Sequence, residues 1–206
     1  MSTPDFWGEQ RIHGRAVPPL FPRDGAVQSI VYGEAPGPRG ADQSGVPFWG
    51  DGAGIPLYRG LAVAGCAELD DSVWGRWDGA ALRGGGLWPK LIGVALSNAF
   101  PCCPTDDGRR FRAPKRGELL SEENTARLRD ELNAALVRGA SKVITLGRCA
   151  AQTLEPLAGE RGLKFIALPH PSSQGLLMSA PGKGRGMRLE DLRAQWEMRL
   201  VDALRS

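Results

Sequence analysis

KVITLGRCAAQTLEPLAGERGLKFIAL, residues 142–168, decides the fold. Its two ends, Lys142 to Leu146 and Lys164 to Leu168, are nearly continuous apolar runs rather than alternating ones. That is the mark of strands covered on both faces. Between them Cys149 to Leu157 reads as a helix that starts directly after the first strand. A strand, a helix and a second strand of this length make a crossover, so the two strands are expected to lie parallel.

Working outward, two more buried runs appear upstream, Ser29 to Tyr32 and Leu91 to Ser97. Each of the four strands stops at a small, polar or turn-forming residue: Gly33, Asn98, Gly147 and Pro169. Ser121 to Arg138 carries Leu128, Leu132, Ala135 and Leu136 at helical spacing, with Ser121 as its cap and Gly139 as its stop. Leu189 to Leu204 places Leu192, Trp196, Leu200 and Leu204 on one stripe. The expected fold is α/β: a three-layer αβα arrangement around a four-stranded, mainly parallel sheet. Residues 1–26 and 70–90 are expected to be irregular, the latter rich in Gly and Trp (Trp74, Trp77, Trp88). At 206 residues the chain suits one domain over 1–206 and is short for two.

The composition is that of a soluble globular protein, with 42% hydrophobic and 24% charged residues. The net charge of +3 permits an anionic partner without demanding one. Its distribution is more informative. Arg109, Arg110, Arg112, Lys115 and Arg116 cluster, and Lys183, Arg185 and Arg188 alternate with glycines. No apolar run reaches the roughly 20 residues of a membrane span. Met1 to Gln10 lacks the layout of a secretory signal, so no membrane role and a cytoplasmic location are expected. The cysteines are Cys66, Cys102, Cys103 and Cys149, with no Cys-x-x-Cys pair, and the histidines are His13 and His170. Reduced thiols and no metal are the expectation.

In open parallel sheets the ligand crevice lies beyond the carboxyl ends of the strands. That rule selects Gly33-Glu34-Ala35-Pro36-Gly37, Asn98-Ala99-Phe100-Pro101, Gly147-Arg148 and Pro169-His170-Pro171-Ser172. The chemistry they bring is a carboxylate, a carboxamide, an imidazole and several backbone N–H groups.

Gly33 to Gly37, followed by Gly45-Val46-Pro47-Phe48-Trp49-Gly50 and Ala53-Gly54, resembles the first motif of the family 4 uracil-DNA glycosylases. Leu96-Ser97-Asn98, Leu146-Gly147 with Ala150-Ala151, and His170-Pro171-Ser172 resemble the later motifs of that superfamily. The resemblance runs from about residue 28 to 178. There are two departures. An additional residue separates Gly50 from Ala53-Gly54, and no cysteine precedes Cys66, whereas family 4 members ligate an iron–sulfur cluster with four cysteines, two of them a close N-terminal pair. Such a cluster needs four thiolates. The expectation is therefore a family 4-like relative without the cluster and with no cofactor.

The resemblance implies a DNA glycosylase that flips uracil, or a related deaminated base, out of DNA and hydrolyses its N-glycosidic bond in base-excision repair. Glu34 and His170 are then the catalytic candidates. Phe48 would stack on the flipped base, Asn98 would read its edge, and Gly33 and Ala35 would line its pocket. Pro36, Gly37, Pro171, Ser172, Ser173, Leu176, Lys183 and Arg185 would contact DNA, with Leu176 or Leu177 as a wedge. Glu34 has a second reading, in which it holds its loop by accepting backbone N–H bonds. The expected partner is uracil-containing DNA, single- or double-stranded, bound by a monomer. The alternative is a superfamily member that binds nucleic acid without cutting it. A third reading, a nucleotide- or phosphate-binding enzyme, lacks both a Walker loop and a dinucleotide fingerprint.

Overall fold

The computed structural model describes residues 15–106 and 111–206. In chain order its elements are β1 (Ser29–Gly33), α1 (Ala41–Ser44), α2 (Gly54–Val63), β2 (Ala67–Glu68), α3 (Gly79–Gly84), β3 (Lys90–Leu91), β4 (Val94–Asn98), α4 (Arg116–Leu119), α5 (Glu122–Val137), β5 (Lys142–Leu146), α6 (Arg148–Gly159), β6 (Lys164–Leu168), α7 (Ser173–Ser179) and α8 (Leu189–Arg205). Short 3-10 turns lie at Asp71–Arg76 and Pro181–Gly184. Expectations for Met1 to Gln10, His13, Arg109 and Arg110 fall outside the described residues.

The main sheet runs β4-β1-β5-β6, with every pairing parallel. Successive residues of its strands feed opposite faces, as the period of two requires. Val31, Leu96, Ile144 and Leu146 pack with Leu57 and Leu61 of α2 and with Trp196 and Leu200 of α8. Ile30, Tyr32, Ala95 and Val143 pack with Leu128 and Leu132 of α5 and with Leu154 of α6. The result is the expected three-layer αβα fold. Leu128 and Leu132 of α5 are fully buried, and each such side chain contributes about 2 kcal/mol.

Ser121 caps α5 as expected, its hydroxyl accepting from Asn124 N at 3.2 Å. Leu192, Trp196, Leu200 and Leu204 of α8 are all buried. The outer edge of β4 is covered by the chain around Leu20, which exchanges two backbone hydrogen bonds with Leu96 at 2.8 and 2.9 Å. An unpaired edge would otherwise present free N–H and C=O groups.

Four local expectations need correction. The single strand expected over 91–97 is broken by Gly93, whose φ is 68°. Leu91 ends β3, which pairs antiparallel with β2, and β4 begins at Val94. Residues 70–90 are not wholly irregular, because Asp78 caps α3 by accepting from Ala81 N at 3.0 Å, and Asp70 caps the turn before it. β6 is an edge strand and only partly buried, so its apolar run lacks the two-sided cover of the other three. Helix α2 was not expected at all. It opens on Gly54 and contains Pro56, and it is held by the burial of Leu57, Tyr58 and Leu61 rather than by propensity.

Candidate functional site

Gly33 and Asn98 face each other in register at the carboxyl ends of β1 and β4. The pairing continues one step past the strands, with Ala99 N donating to Gly33 O at 2.8 Å and Phe100 N to Glu34 O at 2.9 Å. A Cβ added at Gly33 would lie 2.5 Å from Phe48 Cζ and 2.7 Å from Asn98 Oδ1. The ring, the carboxamide and the Gly33 backbone therefore meet at one point, and only glycine fits there.

Phe48 is 5% exposed and has φ of 62°, the left-handed region that a bulky residue avoids at a cost of about 1–3 kcal/mol. Its neighbours impose the conformation. Tyr58 donates its hydroxyl to Pro47 O at 2.9 Å, Trp49 Nε1 donates to Leu87 O at 3.0 Å, and Ser44 donates to Trp49 O at 2.8 Å. A Cβ at Gly54 would lie 2.0 Å from Phe48 O, so the helix start presses on this peptide.

Asn98 is 2% exposed. Its Nδ2 has no hydrogen-bond partner among the described residues. Leaving a buried donor unmade costs about 1–3 kcal/mol, so such a group calls for an explanation.

His170 follows Pro169, whose carbonyl accepts from Trp196 Nε1 at 2.7 Å. Its Nδ1 accepts from Ser172 N at 3.2 Å. An accepting Nδ1 carries no proton, so the neutral ring holds its proton on Nε2. Burial pushes the imidazole pKa down, which favours that neutral form. Two glycines make room for the ring: a Cβ at Gly147 would come within 3.1 Å of its Cβ, and one at Gly175 would meet His170 O at 2.3 Å.

Glu34 is half-buried, and burial raises its pKa. Cys149 lies near enough to feel its charge. Burial, and then Glu34, push that thiol up to about 11, so it stays neutral beside the carboxylate. Glu34, Ala35, Pro36, Gly37, His170 and Ser172 line one open cleft of about 590 Å³. Gly33, Phe48 and Asn98 lie outside that lining, as a buried contact set joined to it through the Gly33–Glu34 peptide.

The loop after Glu34 is held from behind. Asp51 accepts from Gly37 N at 3.3 Å and Ala41 N at 3.1 Å, while burial raises its carboxyl to about 6. A Cβ at Gly37 would lie 2.0 Å from Asp51 Oδ1. Asp51 falls in the stretch where the chain departs from the family 4 motif spacing, and no sequence pattern marks it as a loop anchor.

The remaining expected contacts fall partly inside and partly outside the cleft lining. Leu176 is 3% exposed and packs in the core, so the wedge expected there is not presented to solvent. Leu177 is partly buried against the same core. Met178, one residue on, is 59% exposed and lines the cleft. Ser172 caps α7, accepting from Gly175 N at 3.1 Å, while Pro171 is buried and Ser173 exposed. Lys183 and Arg185 are exposed but outside the cleft lining. In the first basic cluster, Arg112 is bound to Glu118 at 2.7 Å and to Asp106 at 2.9 Å, which leaves it little charge to offer an anion. Arg148 is exposed on the cleft rim. Among the described residues no three His, Cys, Asp or Glu side chains gather as a metal site. No described helix is long and apolar enough to cross a membrane.

The model of the uracil DNA glycosylase superfamily matches residues 22–194 of this chain. A type-5 uracil-DNA glycosylase from Thermus thermophilus is 30% identical over 159 residues, which cover 77% of this chain and 61% of that protein. The chain thus spans less than two thirds of that relative's length. A solution NMR structure from Methanosarcina acetivorans, assigned provisionally to the uracil DNA glycosylases, aligns over 94% of this chain and 99% of its own, with a TM-score of 0.48 and 14% identity.

Proposed function

The chain belongs to the uracil DNA glycosylase superfamily, and on that premise we propose that it excises uracil, or a related deaminated base, from DNA. The observation that carries this reading is the unused Nδ2 donor of Asn98, buried beside Phe48 and Gly33. A carboxamide offers one acceptor and one donor side by side. Uracil presents the complement, N3–H and O4, whereas cytosine presents the reverse pattern, so a fixed Asn98 separates the two. Phe48 supplies the face on which the flipped base stacks, once the base has left its neighbours at a cost of a few kcal/mol.

Bond cleavage moves the electron pair of the N1–C1′ bond onto the base, and negative charge collects at O2. The neutral His170 donates from Nε2 to that oxygen, and a donor placed where charge develops is worth most in a site closed to water. Water attacks C1′ as the base departs and gives its proton to Glu34, whose carboxylate also faces the positive charge growing on the sugar. Burial of Glu34 raises its proton affinity and so suits it to this task. Pro36, Gly37, Ser172 and Ser173 border the path of the DNA backbone, and Lys183 and Arg185 add charge beyond the cleft. Met178 takes the wedge role, supported by its exposure at the rim.

Within the superfamily we read the chain as family 4-like on the strength of Gly33 to Gly37. We also read its thiols as holding no iron–sulfur cluster. Cys66 borders a hollow with Lys142 and Arg205 at the amino ends of the strands, while Cys102, Cys103 and Cys149 lie at the carboxyl ends.

The test is to incubate the protein with single- and double-stranded oligonucleotides carrying uracil or hypoxanthine and to assay abasic sites. Abasic product from uracil supports the reading. Binding without product from any substrate overturns it in favour of a non-cutting relative.

A further inference from the structure

Helix α5 carries a polar stripe where a core-facing helix would normally be apolar. Asn124 and Glu131 are 5% and 6% exposed, and Arg127 lies between them with a side chain 23% exposed. All three reach the three consecutive residues 97–99 at the end of β4, and Asn124 Nδ2 also donates to Leu119 O at 2.8 Å. Glu131 accepts from Ser97 Oγ at 2.8 Å. Arg127 Nη2 donates to Asn98 O and Ala99 O, both at 3.0 Å. Asn124 Nδ2 donates to Ala99 O at 2.9 Å. Arg127 is fixed in turn, paired through Nη1 with Glu131 and donating from Nη2 to Asn124 Oδ1 at 2.9 Å.

Stability alone does not call for such a stripe. A buried ion pair is often matched or bettered by apolar residues of similar volume, and its best-attested use is to select one arrangement. Here the arrangement selected is that of the Asn98 peptide. Ser97 faces α5, so Asn98, one residue on, projects to the opposite side of the sheet, where Gly33 and Phe48 lie. Helix α5 thus grips the backbone of Asn98 from behind while its carboxamide faces the base pocket. We propose that Arg127, locked by Glu131 and Asn124, is a positioning residue that sets the orientation of the Asn98 carboxamide and thereby the discrimination between uracil and cytosine. This rests on the reading of Asn98 as the base-reading residue.

Removing Arg127 alone would strand a buried carboxylate, so the informative variant is the double change Arg127→Met with Glu131→Leu, which deletes the pair and keeps the volume. Two measurements go together. One is the side-chain amide resonance pair of Asn98 in ¹⁵N-labelled protein, a readout of orientation independent of activity. The other is single-turnover excision from uracil- and cytosine-containing oligonucleotides, with thermal unfolding as the check on folding. The double variant is expected to stay folded, to shift or broaden the Asn98 amide pair, and to lose about 10- to 100-fold in uracil excision with a smaller uracil-to-cytosine ratio. Arg127→Lys, whose single ammonium cannot hold Glu131 and the Asn98 and Ala99 carbonyls as two separate guanidinium nitrogens do, is expected to fall between wild type and the double variant. An unchanged Asn98 amide pair in the folded double variant overturns the proposal. A shifted pair with unchanged excision upholds the positioning and sinks the reading of Asn98 on which its purpose rests.

Discussion

Asn98 and His170 are ordinary residue types, and what distinguishes them is the state of their hydrogen-bonding atoms. One has an idle buried donor, and the other has its proton directed to Nε2 by Ser172 N. Their positions at strand ends were legible in the sequence, because apolar runs stop at Asn98 and Pro169. The states of their atoms were not, since those depend on partners distant in the chain. Glu34 remains open to a direct trial. Burial raises its pKa, so the carboxylate form is gained only as pH climbs through that raised value, while burial lowers that of His170 and favours its neutral form. The wild-type single-turnover rate should therefore fall on the acid side. Glu34→Gln should slow excision about 100-fold and flatten that limb, and a near-normal rate with the limb intact would assign Glu34 to holding its loop.

At the scale of elements, the four strands and the helices α5, α6 and α8 were readable because each repeats its pattern over several turns or residues. The loop from Gly33 to Gly54 was readable only as a motif. Its shape comes from Asp51, which reaches back to Gly37 and Ala41, and no periodicity announces such a contact. Asp51 also makes this loop sensitive to pH. Its carboxyl rises to about 6 in the fold from an unfolded value near 3.9. The stability it contributes is therefore greatest below the unfolded value and is lost as pH rises through about 6. Asp51→Asn should remove that slope, so the unfolding temperature of the variant relative to wild type should improve between pH 4.5 and pH 7.5. A difference that stays constant across that range would contradict the account.

Helix α7 is the other element whose detail escaped the sequence. Leucines at 176 and 177 invited a wedge there, yet helical geometry turns Leu176 inward and leaves Met178 outward. Met178→Ala is expected to slow excision from double-stranded DNA several-fold while sparing single-stranded DNA, where no partner strand fills the gap. Equal losses on both substrates would remove the wedge role.

For the whole molecule, the three-layer fold followed from the order of strands and helices, while the strand order β4-β1-β5-β6 did not, since apolar runs alone do not say which strands neighbour one another. The order matters because it sets Gly33 beside Asn98, and the same sheet keeps Cys66 apart from the other thiols. Iron and sulfide assays of aerobically and anaerobically purified protein are expected to find neither at stoichiometric level, and one cluster per chain would overturn that expectation. The central claim is that this chain reads uracil through Asn98 and cuts it from DNA. Single-turnover excision by wild type and Asn98→Asp, each on uracil- and cytosine-containing oligonucleotides, tests it most directly. The account predicts abasic product from uracil alone with wild type, and a lost or cytosine-relaxed activity with the variant. Equal rates and equal selectivity for the two proteins would contradict it.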